Sequence, residues 1–446
     1  MTNTIFALAT APGRAAVAVL RLSGPGVREA LRRLGAGGLK PRRASLRTFV
    51  DAGGGALDQG LAIWFPGPAS YTGEDCAELH VHGGVGVVDG VSDALRALGL
   101  RLAEPGEFTR RAVQNGKLDL GQAEAIGDLI DAESRAQSRQ AISQLNGALG
   151  GRHQAWRGQL IAVLADLEAA VDFPDEELPS DVTHRSAAPL ERLLWDLETA
   201  VREGVRGLQV RDGYRVGLVG APNAGKSTLF NALLERDAAI VASTAGTTRD
   251  TLEAGLDLDG YRVLLCDMAG LGDPGDVIEA EGMRRAKAWA ELADLRVWVV
   301  DRASLGEEWR SGLGLIQAGD LLVLHKFDRP QGDAERVATE AAACLGLDKV
   351  YTNHLSGGSD ALRAWLSARI LNDLHGSDFP ATTRVRHAVQ LTQAQGHLGR
   401  ALKALSQPEL AAEDVRLAIR ALAQVTGTIG VDDVLDRVFA TFCIGK

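Results

Sequence analysis

At 446 residues the chain is long enough for roughly two to four domains of about 100 to 200 residues, each burying its own core. Hydrophobic residues make up 46% and charged residues 24%, and no uncharged apolar run approaches the roughly 18 residues of a bilayer-spanning helix, which argues against a membrane protein. The formal net charge of −10 is uneven, +3 over 1–120, −15 over 121–380 and +2 over 381–446, so the mildly basic ends admit a polyanionic partner without establishing one.

Residues 1–20 lack the basic start and long apolar core of a secretory signal. Cys76, Cys266, Cys344 and Cys443 lie far apart with no CxxC pair, so a reducing, cytoplasmic setting is expected, without a disulfide frame or zinc site. Short strand-like runs at 15–20 and 60–64 mix with glycine-rich turns at 53–55 and 83–86, predicting a compact α+β domain over 1–118. His80 and His82 share a face of a predicted strand, but no third ligand accompanies them, so they read as wall or packing residues.

Apolar residues then recur at helical spacing, from Trp156, Leu160, Val163, Leu164, Leu167 and Val171 to Leu190, Leu193, Leu194, Leu197, Val201 and Leu208. Phe173, Pro174 and Asp175 interrupt the run, and 119–212 is predicted to form the first segment of a helical domain. Strand-like runs at 214–219, 262–266, 295–300 and 321–324 alternate with helices, the pattern of a mostly parallel, doubly wound sheet over 213–377. Helical periodicity returns with Leu391, Leu398, Leu402 and Leu405, then Val434, Leu435, Val438 and Phe439, predicting a second helical segment over 378–446. The simplest arrangement inserts the α/β domain into the helical one.

Residues 220–227 read GAPNAGKS, a complete G-x-x-x-x-G-K-[ST] loop between a strand-like run and the helix-like LFNALL. Backbone N–H groups of such a loop and the positive helix end surround a triphosphate; Lys226 would reach the β- and γ-phosphates and Ser227 would ligate magnesium. Expected nucleotide contacts are therefore Asn223, Ala224, Gly225, Lys226, Ser227 and Thr228. Ala242, Ser243, Thr244, Ala245, Gly246, Thr247 and Thr248 form a switch-like polar segment in which Thr248 is the natural second magnesium ligand. Asp267, Met268, Ala269 and Gly270 form a DxxG turn whose Asp would hold a magnesium-bound water and whose Gly amide would meet the γ-phosphate.

An NKxD segment would select guanine, because its Asp accepts from the ring N–H and amine that guanine carries; here it reads His325, Lys326, Phe327 and Asp328. Guanine remains the best reading, with His in place of Asn expected to weaken affinity, and Thr352 and Asn353 mark the next base-contacting loop. Leu271 stands where a water-orienting Gln often follows DxxG, so catalysis needs another polarising group. Glu279 is the candidate, a solvated helix carboxylate being the alternative. The amide oxygen of Asn223 could hold a monovalent cation beside the phosphates.

These residues together resemble one family, the tRNA-modification GTPases called MnmE or TrmE. The matching blocks are GAPNAGKS, TAGTTRD at 244–250, TAPGRAAVAVLRLSG at 10–24, YTGEDCAELHVHGG at 71–84, PGEFTRRAVQNGKLDLGQAEAIGDLIDA at 105–132, DFPDEE at 172–177 and FCIGK at 442–446. They span essentially the whole chain. The resemblance implies an α+β folate-binding and dimerising domain, a helical domain from two chain segments, and an inserted P-loop GTPase domain. It further implies a homodimer working on tRNA with a flavin-dependent partner, MnmG or GidA, which carries FAD and joins it in a heterotetramer or larger complex. The product would be a 5-carboxymethylaminomethyl or aminomethyl group on the wobble uridine, with 5-formyl- or 5,10-methylene-tetrahydrofolate as carbon source.

The resemblance also implies that potassium stimulates GTP hydrolysis and that hydrolysis opens and closes paired GTPase domains. By position, Asn223, Ala242, Thr244 and Thr247 match the potassium site, Ser227 and Thr248 the magnesium site, and Glu279 the catalytic glutamate. Arg21, Glu78, Lys117 and Lys446 match folate contacts: Arg and Lys suit carboxylates, and Glu suits pterin N–H groups. Cys443 belongs to the tail pattern, where a thiolate could serve redox or covalent chemistry, or the residue could simply fill a small buried space. A regulatory GTPase that binds RNA and modifies nothing would lack the amino-terminal blocks and the CIGK tail.

Overall fold

The computed structural model describes residues 3–172, 182–236, 252–268, 284, 287–310, 312–353, 358–375, 380, 382–427, 438–439, 442 and 445. Packing divides the chain into two compact units, Met1–Gly127 with Gln144–Leu194 and Gln393–Lys446, and Asp128–Ser143 with Trp195–Thr392.

In the first unit, β1 (Ile5–Leu8), β2 (Ala15–Ser23), β3 (Ser45–Val50), β4 (Ala56–Phe65), β5 (Cys76–Gly83) and β6 (Arg101–Leu102) form one sheet in the order β3-β4-β5-β2-β1-β6. Its pairs are antiparallel except β1 with β6. Helices α1 (Val27–Arg33), α2 (Val85–Ala97) and α3 (Glu107–Gln114) accompany it. Strand alternation sends Ala77, Leu79 and Val81 of β5 into a core with Phe6, Leu20, Leu22 and Phe49. Glu78 and His80 consequently share the opposite face, as do Arg21 and its neighbours two residues away on β2.

The start of α3 is tied down electrostatically. Glu107 accepts hydrogen bonds from Arg101 Nη1 and Arg111 Nη2, both at 2.8 Å, and from the Glu104 backbone N–H at 2.9 Å. Burial pushes its carboxyl up, but the Arg101 bond, the Glu104 amide and Arg111 more than offset that and hold it at about 2. Because the folded value lies below the unfolded one, the stabilisation is complete above the ordinary value of 4.5 and is lost as pH falls towards 2. Glu107→Gln should therefore cost about 2 kcal/mol at neutral pH and almost nothing near pH 2, checked by urea unfolding across that range.

Helices α4 (Leu120–Ile130), α5 (Arg135–Leu145), α6 (Ala148–Asp172) and α7 (Val182–Asp212) follow. Trp156, Leu160, Val163 and Leu167 of α6 are buried at the expected helical spacing. Near the carboxyl end, α11 (Val385–Lys403) and α12 (Pro408–Thr426) resume the helical pattern. Arg416 of α12 pairs with Glu168 of α6 at 2.9 Å.

The second unit carries β7 (Tyr214–Val219), α8 (Lys226–Arg236), β8 (Leu252–Leu258), β9 (Tyr261–Asp267), β10 (Leu295–Asp301), β11 (Leu321–His325), α9 (Asp333–Leu345), β12 (Asp348–Tyr351) and α10 (Asp360–Asp373). The sheet order is β12-β11-β10-β7-β9-β8, parallel except at the β8–β9 hairpin. Every residue of β11 is buried, as a parallel strand covered on both faces requires. Strand β8 was not anticipated, because LEAGLDL at the sheet edge offers no continuous apolar run. Segment 128–143 packs with this sheet: Ala136 is buried in its core and its N–H donates to Gly260 O at 2.9 Å. Among the described residues, no helix is long and apolar enough to cross a membrane.

Candidate functional site

The phosphate-binding loop leaves the carboxyl end of β7, in the middle of the sheet, and leads into α8. Gly220 at φ +150° and Gly225 at φ +107° adopt conformations that other side chains rarely take. Lys226 is buried and its Nζ donates to the carbonyls of Gly220 at 3.0 Å and Ala221 at 2.8 Å. Burial pushes its ammonium down from the usual lysine range, while the charge of Asp267 works the other way. Asp267, at the end of the neighbouring β9, accepts from Ser227 Oγ at 2.5 Å. Its Oδ1 is buried without a hydrogen-bond partner among the described residues.

A buried carboxylate oxygen without a donor is costly unless a cation or a cation-bound water meets it. The donor set here, a serine hydroxyl beside an aspartate, suits magnesium. Thr228 follows on α8, and Met268 is buried beyond β9. Asn223, at φ 61°, is exposed; its side-chain amide makes no hydrogen bond among the described residues, whereas its backbone oxygen accepts from Lys326 Nζ at 2.9 Å. That free amide oxygen is compatible with a cation ligand.

The HKFD segment expected to read the base begins at the last residue of β11, and the loop at 352–353 follows β12. Lys326, itself at φ 60°, bridges Asn223 to Asp301 Oδ2, the latter at 2.6 Å. Asp301, at the end of β10, is not among the contacts expected from the sequence; an acid closing the apolar run Val297–Val300 is the available signal. Phe327 N–H donates to Thr352 O at 3.0 Å, which joins the two loops, and the guanidinium of Arg302, just after β10, lies 4.4 Å over the Phe327 ring. Asp328 is exposed. Asn353 N–H donates to Gly358 O at 3.3 Å. His325 is buried, its Nδ1 2.9 Å from Thr352 Oγ1, and its ring packs against Gly225 of the phosphate loop. A cavity of about 180 Å³ beside this arrangement is lined by Asn223, Ala224, Asp301, Trp309, Lys326 and Arg329.

A second cluster lies on the amino-terminal sheet. Arg21 of β2 and Glu78 of β5 are direct cross-strand partners, with Nη2 to Oε1 at 3.1 Å. The Arg21 guanidinium also lies 5.4 Å from the Tyr71 ring centre, and the Tyr71 hydroxyl meets Thr109 Oγ1 at 2.8 Å. His80 Nε2 sits 3.4 Å from Glu78, whereas His82 Nδ1 turns to Asp58 at 2.8 Å, so the two histidines have separate carboxylate partners. Among the described residues no group of three metal-ligating side chains occurs.

Lys117 is exposed, and a Cβ at Gly73 would lie 3.4 Å from its Cγ, which sets it beside the Tyr71–Gly73 turn. Gly445 packs against Leu8 and Ala9 at the end of β1, and Ala7 is the register partner of Arg21. Phe442 packs against Phe439, with ring centres 5.2 Å apart, and against Gly106 and Gly127. Glu279, 242–248, Ala269, Gly270, Leu271, Cys443 and Lys446 lie outside the described residues.

Compared with models of protein families, residues 4–117 match the one described as GTP-binding protein TrmE N-terminus, and residues 120–443 match the MnmE helical domain. The chain is 54% identical over 447 residues to the tRNA modification GTPase MnmE of Phenylobacterium zucineum, with 100% of each chain covered. It is 54% identical over 448 residues to the protein of that name in Caulobacter vibrioides and 49% over 450 residues to that of Parvibaculum lavamentivorans, again with 100% of each covered.

Proposed function

Because this chain belongs to the MnmE (TrmE) family and is a GTP hydrolase, we propose that it couples potassium-stimulated GTP hydrolysis to folate-dependent modification of tRNA wobble uridine. In this reading it acts as a cytoplasmic homodimer with an FAD-bearing MnmG-type partner, and the product is a 5-carboxymethylaminomethyl or aminomethyl uridine. Residues 1–118 form the folate and dimerisation domain, 119–212 and 378–446 the helical domain, and 213–377 the inserted GTPase domain.

Lys226 and the loop amides hold the triphosphate, and Lys326 and Asp328 select guanine. Ser227 and Thr248 would hold magnesium, with Asp267 beside Ser227 supplying negative charge to the site; Asn223, Ala242, Thr244 and Thr247 would hold potassium. The two cations, when bound, neutralise charge that develops on the phosphates. Glu279 orients the attacking water and takes up its proton. Arg21, Lys117 and Lys446 pair with carboxylates of the folate, and Glu78 accepts from its pterin N–H groups. Cys443, three residues before Lys446 in the sequence, is a candidate for redox or covalent chemistry.

The observation that carries the folate part is the seating of Gly445 against Leu8 and Ala9, on the strand that pairs with Arg21. It supports a tail whose last residues work with the Arg21–Glu78 pair, far away in sequence. The test is mass analysis of tRNA nucleosides from cells lacking the gene and from cells complemented with wild type, Arg21→Ala or Glu279→Ala. Wild type should restore the modified wobble uridine, Glu279→Ala should leave it absent, and Arg21→Ala should reduce it sharply. Full modification in the deleted strain would remove the proposal.

A further inference from the structure

Although the chain is acidic overall, residues 28–47 contain seven arginines and lysines and a single acid, Glu29. Glu29 is held by Arg32 at 2.6 Å and Arg33 at 2.8 Å, which keeps its carboxyl at about 2, so it offsets one charge within α1 and no more. Arg28 has only a long contact with Asp75, at 3.8 Å, and its side chain is 69% exposed. Lys40 and Arg43 are exposed and meet no carboxylate among the described residues.

The fold brings some of these charges to one concavity and others to the turn that follows it. Pro41 bridges to Trp64 on β4 and the Arg42 N–H donates to Trp64 O at 2.8 Å, so the turn from Lys40 to Arg43 runs alongside that tryptophan. The Arg28 guanidinium lies 4.3 Å over the Trp64 ring. Beside Arg28 is a cavity of about 280 Å³ lined by Arg28, Arg32 and the apolar Leu31, Ala36, Leu39 and Trp64, and Leu39 leads directly into Lys40. Gly37 and Gly38 also line it. The cavity is near the small end of ligand pockets, which begin at roughly 300 Å³, and suits one planar ring.

An apolar slot closed by an arginine plane and rimmed by separate positive charges is what an unpaired base with its flanking phosphates needs. We propose that this face of the amino-terminal sheet docks a single-stranded segment of RNA, taking one unpaired base into the Trp64 cavity and neighbouring phosphates on Arg28, Lys40 and Arg43. The proposal rests on the tRNA reading above, which supplies the polyanion. A second copy of the chain is a poor occupant, because a two-fold contact through this face would set like charges against each other. An anionic membrane is a poor one too, since it needs protruding apolar side chains and Trp64 is buried.

The test measures binding of a wobble-uridine tRNA transcript to the full-length protein across salt concentrations, for wild type and for the combined Arg28→Ala, Lys40→Glu, Arg43→Glu variant. The variant should bind at least about tenfold more weakly, with the salt slope reduced by about 2, because each single-strand phosphate contact contributes roughly 0.7. GTP turnover without RNA should be unchanged, and the circular dichroism spectrum and urea unfolding midpoint should match wild type, which shows that the amino-terminal unit of the variant is folded. Arg336→Glu, a reversal on α9 in the other unit, should leave tRNA binding unaltered. A fully paired RNA duplex should bind more weakly than the transcript.

Equal tRNA affinity of wild type and combined variant, or an equal loss in Arg336→Glu, overturns the proposal. So does stronger, charge-dependent binding to phosphatidylserine vesicles than to RNA. The two readings fail separately: persistence of the modified nucleoside in deleted cells defeats the tRNA reading. Its loss there, with undiminished tRNA binding by the combined variant, defeats this surface alone.

Discussion

Asp267→Asn is expected to lower GTP turnover by about two to three orders of magnitude while the protein stays folded. Asp267 is buried at the end of β9, with one oxygen on Ser227 and the other without a hydrogen-bond partner among the described residues. Asparagine has the same shape, so the sheet and the loop should survive. It lacks the charge, and one of its two terminal groups becomes a donor, which is the wrong polarity for a cation or a cation-bound water. The expected signature in phosphate-release assays is a magnesium requirement displaced to higher concentration together with a low plateau. Turnover within a fewfold of wild type at ordinary magnesium would exclude Asp267 from the site.

Gly225→Ala should weaken GTP binding at least about a hundredfold, for two separable reasons. The backbone at φ +107° is strained for any residue with a Cβ, a cost of roughly 1–2 kcal/mol. In addition, the new methyl would overlap His325 Cδ2 and lie 2.6 Å from Nε2 of a ring that is buried and held by Thr352. The ring cannot swing away without giving up that bond, so the loop must move instead. Adding His325→Ala removes the overlap and leaves the backbone strain, so the double variant should recover part of the lost affinity. Nucleotide titrations of the four proteins measure the coupling; no recovery in the double variant would mean that the His325 contact contributes nothing.

Both predictions join residues that are far apart in the chain, and this separates what could be read early from what could not. Strand β7 was legible over its whole length because its apolar run ends in a complete phosphate-binding motif. The family, too, followed from blocks of sequence spread from the amino-terminal segment to the CIGK tail. Strand β8 escaped because an edge strand with mixed polarity has no continuous apolar run. His325 was legible as a departure from asparagine, but its packing against Gly225 was not.

The sequence by itself therefore determined the local chemistry: which loop would cradle phosphate, which segments alternate as strands and helices, and which family the blocks resemble. Motif spacing and periodicity are short-range properties, set by a few successive backbone angles and by which face of an element meets water. Tertiary structure decided the partners. Ser227 meets Asp267 across 40 residues, Arg21 meets Glu78 across 57, and Lys326 meets Asn223 across 103. Such pairs depend on strand order and register, which are fixed by burial of whole sheet faces rather than by any one segment. The same long-range packing leaves one Asp267 oxygen without a donor among the described residues and brings both Arg28 and the Lys40–Arg43 turn to Trp64.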